Sequence, residues 1–459
     1  TVEAAAAKAT RRSARTANCR RSGSDPRGVL PHAARRCHTA RMNGRILLVV
    51  AVAAAGLAAA SHPVTSRLTM HASSPAPSSA VLAPAGVVDV FVGGEGGYPV
   101  YRIPAITRLE LGARRGRLLA FAEGRGNLGD NGTNDLVLRT SDDDGATWSP
   151  VRTLCDMPGR SLNNPCVVEL ATGPRAGRVV LMFQSYPDGC GEGCVIAGHE
   201  PAPATDARTG DRLCRSFVMH SDDAGATWSA PREVSREVRR ATGATSTATG
   251  PGIGIQLAHG PHKGRVLMPF NEGPADRWRV YAAYSDDGGD SWRLGDPAPD
   301  DAKGVANEVQ MFERVDGTVV LNARQHHGAK RRKTATSTDG GATWTRLADV
   351  PDLPDPTCMG GLLALDGATV VFTGCDSETR RALGTVWISR DAGRTWPEKI
   401  RVEEGGFAYS VPVRLAGGTD GALAEIGVLY ETAGYQRIAL RRVTVPAAKP
   451  SAAATPAAR

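Results

Sequence analysis

The sequence predicts an all-β protein built as a six-bladed β-propeller, and three observations predict it. An eight-residue element recurs five times, at 141–148, 221–228, 285–292, 337–344 and 389–396, with the pattern S-x-D-x-G-x-[TS]-W. The copies start 80, 64, 52 and 52 residues apart, a period that suits one small sheet per unit. Short apolar strands fall between or just before the copies, each directly after a glycine: 117–121 after Gly116, 178–183 after Gly177, 265–270 after Gly264 and 318–322 after Gly317. Long amphipathic helical patterns are missing from 86–445.

Each position of the repeat has a physical job. The aspartate can bond nearby backbone N–H groups, the glycine accepts positive φ in a tight turn, and the tryptophan anchors the turn with a large ring. Five of the seven tryptophans sit in these boxes. A turn with an anchor is scaffold, so the repeat speaks for fold and not for function. Between the tails, 86–445 has room for six blades of roughly 60 residues, four strands apiece.

Charge divides the chain. Residues 1–41 hold ten Lys/Arg and two acids, Glu3 and Asp25, a net of +8 that equals the net of the whole chain. Everything after Arg41 is therefore neutral overall, and the basic balance gives no reason to expect a nucleic acid partner. Residues 1–41 read as a disordered stretch, or as lying upstream of a true start at Met42. A basic start, a 15-residue apolar run at 46–60 and a small-residue end at Ala58-Ala59-Ala60 make 42–60 a secretory signal peptide. An uncleaved anchor is the alternative, but the run is short against the roughly 20 residues of a membrane span. No stable span is expected and the protein is expected to be secreted. Residues 61–85 are a Ser/Pro/Ala linker and 446–459 a Pro/Ala tail.

Seven cysteines follow the signal, an odd number that suits an oxidising compartment but leaves one thiol over. Cys190, Cys194 and Cys214 share one Gly-rich insertion, where a local bridge is expected. Zinc at Cys190, Cys194 and His199 lacks a second ligand pair. No acidic loop has calcium-ligand spacing. No cofactor is expected.

A propeller's channel draws residues from several blades, so the search is for polar residues inside strand-like segments. Tyr101-Arg102-Ile103-Pro104 opens the folded region. A strand ending at Phe121 leads into Glu123-Gly124-Arg125, with Asp130 five residues beyond Arg125. Asn164-Pro165 follows, then Gly250-Pro251-Gly252 before Gln256-Leu257, Glu308-Val309-Gln310, Asn322-Ala323-Arg324, Arg381 before Gly384-Thr385, Ala408-Tyr409-Ser410 and Tyr430-Glu431. Together with the five boxes, this ordered set resembles the exo-α-sialidases (neuraminidases), the family 33 glycoside hydrolases, over essentially all of 86–445.

The resemblance implies a six-bladed sialidase propeller that hydrolyses terminal α-linked sialic acids on glycoproteins, glycolipids and oligosaccharides. It also implies roles. Arg102, Arg324 and Arg381 would hold the substrate carboxylate, as guanidinium forks suit. Tyr409 would be the nucleophile and Glu308 its general base, since a neutral hydroxyl escapes repulsion by the substrate's own charge. Asp130 would be the acid/base, with Asp135 a rival. Arg125 would face the ring hydroxyl at C4, and Glu431 would orient Arg102. Two displacements at one centre would retain configuration.

Each residue also has a plainer reading. Arg102 could end a strand, Glu308 and Arg324 could form a cross-strand pair, Tyr409 could be a rim aromatic, and Asp130 could be a turn residue. His326-His327 could touch substrate or end a strand. His259 and His262 read as surface residues in a turn, and Lys330-Arg331-Arg332-Lys333 reads as a solvated hairpin tip. A trans-sialidase or an anhydro-forming sialidase would share all eight site residues, and a non-catalytic glycan-binding propeller would share the boxes. Sialylated glycans are the expected partners and a monomer the expected state. A metal-dependent hydrolase would need a His/Asp cluster that the sequence does not offer.

Overall fold

The computed structural model describes residues 86–448, apart from 131, 188–213, 242–243, 245, 274–276, 301–304 and 418–421. The expected signal and linker, and Cys190, Cys194 and His199, lie outside the described residues.

Six blades follow one another along the chain, antiparallel except where the short strand Gly252–Ile253 pairs parallel to the first strand of blade 2. Blade 1 is Val100–Arg108, Leu118–Arg125, Asn134–Ser141 and Arg152–Cys155. Blade 2 is Arg160–Glu169, Val179–Pro187, Arg215–Ser221 and Arg232–Glu233, blade 3 Thr247–Thr249, Val266–Glu272, Arg279–Ser285 and Arg293–Leu294, and blade 4 Val305–Glu313, Val319–His327, Arg331–Ser337 and Ala348–Pro354. Blade 5 is Gly361–Ala364, Val370–Cys375, Ala382–Ser389 and the first half of the long strand Glu398–Arg414. The second half of that strand opens blade 6, which continues through Ala422–Thr432 and Arg437–Pro446. Val87–Val92 supplies its fourth strand, so the two ends of the described chain close the ring in one sheet.

That closure explains why six blades carry five boxes. Each box turns the third strand of a blade into the fourth, and in blade 6 those two strands are the last and the first among the described residues. Inside the first box Ser141 Oγ donates to Asp143 Oδ1 at 2.7 Å and accepts from Gly145 N at 2.8 Å. Asp143 also accepts from Thr147 N and Oγ1 at 2.9 and 2.5 Å. The other four boxes repeat the same bonds. The residue before each box glycine is also left-handed, from Asp144 (φ 57) to Ala392 (φ 57), which completes a tight turn. Three box tryptophans are buried (Trp292, Trp344, Trp396), and Trp148 and Trp228 are half-buried.

The arginine that opens a second strand staples its box to the next blade. Arg117 takes both oxygens of Asp142 at 2.7 and 2.8 Å and reaches the Ala224 carbonyl of blade 2. Arg178 takes Asp222 at 2.8 Å twice and Asp290 of blade 3 at 3.2 Å. Arg265 takes Asp286 at 2.7 and 3.0 Å and the Asp339 and Gly340 carbonyls of blade 4. In blade 4 the second box residue is Thr338, and the arginine position holds Thr318.

The basic run 330–333 is not a solvated tip. Arg332 is buried and bonds Asn322 Oδ1 at 2.7 Å, the Cys358 carbonyl at 2.8 Å and Asp355 at 3.3 Å. Lys333 is buried as well, between Asp300 and Asp349. Strand alternation turns Arg332 inward, where Asp355 neutralises it. Five cysteines, Cys155, Cys166, Cys214, Cys358 and Cys375, are buried thiols, and Cys214 donates to the Thr247 carbonyl at 2.8 Å.

Candidate active site

The first strand of each blade lies innermost, and three of these strands break their ladder at a motif residue. Ile103 (φ 58) lies in a bulge between Arg102 and Ala105, Asn164 (φ 56) between Asn163 and Cys166, and Glu308 (φ 42) between Asn307 and Val309. Register also shifts between Phe407 and Ser410, where Ala408 and Tyr409 sit. A bulge re-aims a side chain, and left-handed backbone at a branched or charged residue persists only where its surroundings hold it. Pro104 and Pro165 each follow a bulged residue, where no ladder bond requires an N–H.

These breaks bring scattered residues together. The Tyr409 hydroxyl donates to Glu308 Oε1 in a very short hydrogen bond and accepts from Arg324 Nη1 at 2.9 Å. Arg324 Nη1 also lies 2.6 Å from Glu308 Oε2, and its Nε donates to Asn307 Oδ1 at 2.9 Å. The guanidiniums of Arg102 and Arg381 each stand 5.3 Å from the centre of the Tyr409 ring. Tyr409 is 5% exposed and Glu308 4%. Burial pushes the Tyr409 hydroxyl well above its ordinary pKa; Arg324, Arg381 and Arg102 oppose this and Glu308 reinforces it. Tyr409 is therefore a neutral phenol with a carboxylate already bonded to its proton.

Glu431 is fully buried and holds four donors. They are Arg102 Nε at 2.9 Å and Nη2 at 3.1 Å, Ile103 N at 2.8 Å and Tyr409 N at 3.2 Å. It thus ties the first arginine to the backbone of the tyrosine. Glu123, which sequence reasoning quoted in its motif but gave no role, does the same one blade on. It accepts from Arg125 Nε at 2.7 Å, from Asn164 N at 2.7 Å and from Asn163 Nδ2 at 3.3 Å. The signal was available, since residues two apart on a strand share a face and Glu123 lies two before Arg125.

Arg125 is buried, and its Nη1 donates to Asp130 Oδ1 at 2.8 Å and to the Gly129 carbonyl at 3.2 Å. In this state it braces the loop that carries Asp130 and does not face open space. The Asp130 side chain is 72% exposed, with Oδ1 3.6 Å from Arg102 Nη1. Desolvation pushes its pKa up, but Arg125, Arg102 and Arg381 outweigh it and hold the carboxyl below its usual range. Asp135 lies elsewhere, bonded by the Tyr98 hydroxyl at 2.7 Å. His326 and His327 contact each other at 3.4 Å, His326 half-buried and His327 exposed. Among the described residues no group of three or more His, Cys, Asp or Glu could hold a metal ion, and no helix is long and apolar enough to cross a membrane.

A family profile for the BNR repeat-like domain matches residues 116–421, two thirds of the chain and all five boxes. The chain belongs to the BNR-repeat family. It is similar to the sialidase of Micromonospora viridifaciens, 31% identical over 385 residues, which cover 80% of this chain and 56% of that protein. It is also similar to the anhydrosialidase of Macrobdella decora, 31% identical over 233 residues, 47% of this chain and 29% of that one. The chain thus spans little more than half the length of the first relative. Among solved structures, the Hadza microbial sialidase Hz136 shares the BNR-repeat fold with a TM-score of 0.61 at 23% identity, over 76% of this chain and 66% of that one.

Proposed function

We propose that this protein is a secreted exo-α-sialidase that removes terminal α-linked sialic acids with retention of configuration. One observation carries the reading: a buried tyrosine hydroxyl bonded to a glutamate, with three arginines from three blades around it. A scaffold has no use for that cluster, because gathering three guanidiniums costs repulsion that a bound anion would offset.

The chemistry follows from the groups present. Arg102, Arg324 and Arg381 bind the substrate carboxylate. The Tyr409 oxygen attacks the anomeric carbon while Glu308 takes its proton, so no second anion meets the substrate's own charge. Asp130 gives a proton to the departing glycosidic oxygen. Water then attacks the glycosyl–tyrosine bond and yields its proton to Asp130, while Glu308 returns a proton to Tyr409. In the free protein Asp130 is ionised. Substrate neutralises the arginine field that keeps it so and covers it from water, and both effects raise its pKa toward that of a working acid.

A second reading, transfer to an internal hydroxyl with an anhydro product, draws on the anhydrosialidase relative. Release of 4-methylumbelliferone from its α-sialoside by the full chain tests the main reading, with the sugar product analysed by mass. Free sialic acid supports hydrolysis. A product lighter by one water moves the assignment to anhydro formation. No release by folded protein sinks both. N-terminal sequencing of protein recovered from the medium tests export and cleavage near Ala60.

A further inference from the structure

The five residues 431–435 grip two arginines. Glu431 takes one edge of the Arg102 guanidinium through Nε and Nη2. Four residues on, Tyr435 lays its ring on the face of the same group, 4.4 Å from Cζ to the ring centre. The Tyr435 hydroxyl accepts from Arg381 Nη1 at 3.2 Å. One side chain thus touches arginines from blade 1 and blade 5.

The backbone is bent to achieve this. Ala433 (φ 50), Gly434 (φ 63) and Tyr435 (φ 69) are left-handed in succession. Glycine adopts that conformation freely, but a bulky aromatic there is an outlier. Strained backbone of this kind clusters at ligand clamps. The other grip on Arg381 is similar: the carbonyl of Thr357 (φ 63) accepts from Nη2 at 2.7 Å.

We propose that Tyr435 is a positioning residue that fixes the spacing and tilt of Arg102 and Arg381 for a ligand carboxylate, an inference that rests on the sialidase reading of the site. A ring on the guanidinium face sets its plane without consuming an edge N–H. Glu431 already occupies one edge of Arg102, so the edge led by Nη1 stays available, with Asp130 no nearer than 3.6 Å. On Arg381 the phenol oxygen and the Thr357 carbonyl fix the plane through Nη1 and Nη2. The ring's negative face and the phenol oxygen also offset repulsion between two like charges.

The test compares the full-length wild type with Tyr435→Phe and Tyr435→Leu on 4-methylumbelliferyl α-sialoside. Tyr435→Phe keeps the ring and loses the acceptor, so KM rises about threefold with kcat little changed. Tyr435→Leu loses both, and KM rises about tenfold or more. Calorimetric binding of N-acetylneuraminic acid and of its methyl ester separates positioning from general damage. The preference for the acid should shrink about tenfold in Tyr435→Leu while ester affinity holds. Equal losses for acid and ester, or unchanged KM in both variants, overturn the proposal. A wild type that neither turns over nor binds defeats the sialidase reading instead. Crystal structures of the variants then decide: a displaced Arg381 guanidinium in Tyr435→Leu supports positioning, and unmoved Arg102 and Arg381 refute it.

Discussion

At the box rim, Arg117, Arg178 and Arg265 each take both oxygens of an aspartate on their own blade and then reach the next blade. At the channel, Arg102, Arg324 and Arg381 come from three blades and gather round one tyrosine. The rim bonds join box positions two and four apart, an arginine to an aspartate 21 to 44 residues on in the same blade, or neighbouring blades, and they repeat. The channel bonds join residues 329, 101 and 85 apart and occur once. A rim change should therefore cost stability and spare catalysis, and a channel change should do the reverse.

Tyr409→Phe sharpens that contrast most. It deletes one oxygen and keeps the ring, so turnover of the α-sialoside should fall by about 10³-fold or more with little change in thermal midpoint. Comparable turnover in the variant would break the assignment of the nucleophile. Glu431→Ala tests the boundary, because Glu431 serves both ends of the argument. Its loss strands Arg102 and the amides of Ile103 and Tyr409, at a cost of about 3–5 kcal/mol in urea unfolding, together with a large rise in KM. A variant that loses KM alone would show that the channel tolerates an unpaired buried arginine.

Asp130→Asn should depend on the leaving group. From a sialylated oligosaccharide the remaining sugar departs as an alkoxide and needs the proton, so turnover of that substrate should drop about 10²-fold or more. Methylumbelliferone departs readily and should lose much less. Equal losses on both substrates would move the acid role away from Asp130. At the rim, Asp223→Ala removes the acceptor of the Thr227 amide and hydroxyl and of Ser221 Oγ. Stability should fall by about 1–3 kcal/mol while KM and kcat stay within about twofold of wild type.

The same contrast governs what the sequence made legible. A box is local, so its serine, aspartate, glycine and tryptophan declare the turn within eight residues, and the blade count follows from the length between the tails at roughly 60 residues per blade. The site is non-local. Its residues could be read only as an ordered set, and the eight named from that order do converge. Tyr435 was not found, because nothing near it in sequence marks it: its partners lie in blades 1 and 5, and its placement depends on a strained turn. Arg332 was misread for the same reason. Its counter-charge, Asp355, is 23 residues away and no pattern announces it. The missing sixth box needed the closure by Val87–Val92, which is a property of the ring and not of any one segment.

Acid should expose the rim before anything else. The box aspartates Asp143, Asp223, Asp287, Asp339 and Asp391 are all held below the usual carboxylate range, Asp391 at about 2. For Asp143 the Thr147 hydroxyl leads. For the other four, burial pushes the pKa up and the hydroxyl and amide donors of the box overcome it. A carboxyl depressed by folding lends stability that is complete above its unfolded pKa of about 3.9 and disappears as pH falls through the folded value. Because five boxes titrate in one window, the urea midpoint should be level from about pH 7 to 5 and fall steeply from about pH 4 to 2. Asp391→Asn should start less stable at pH 6 and then lose less on acidification, since one of the five depressed carboxyls is gone. A midpoint that stays level to pH 3 in the wild type, or the same slope in the variant, would show that the boxes do not carry the acid sensitivity.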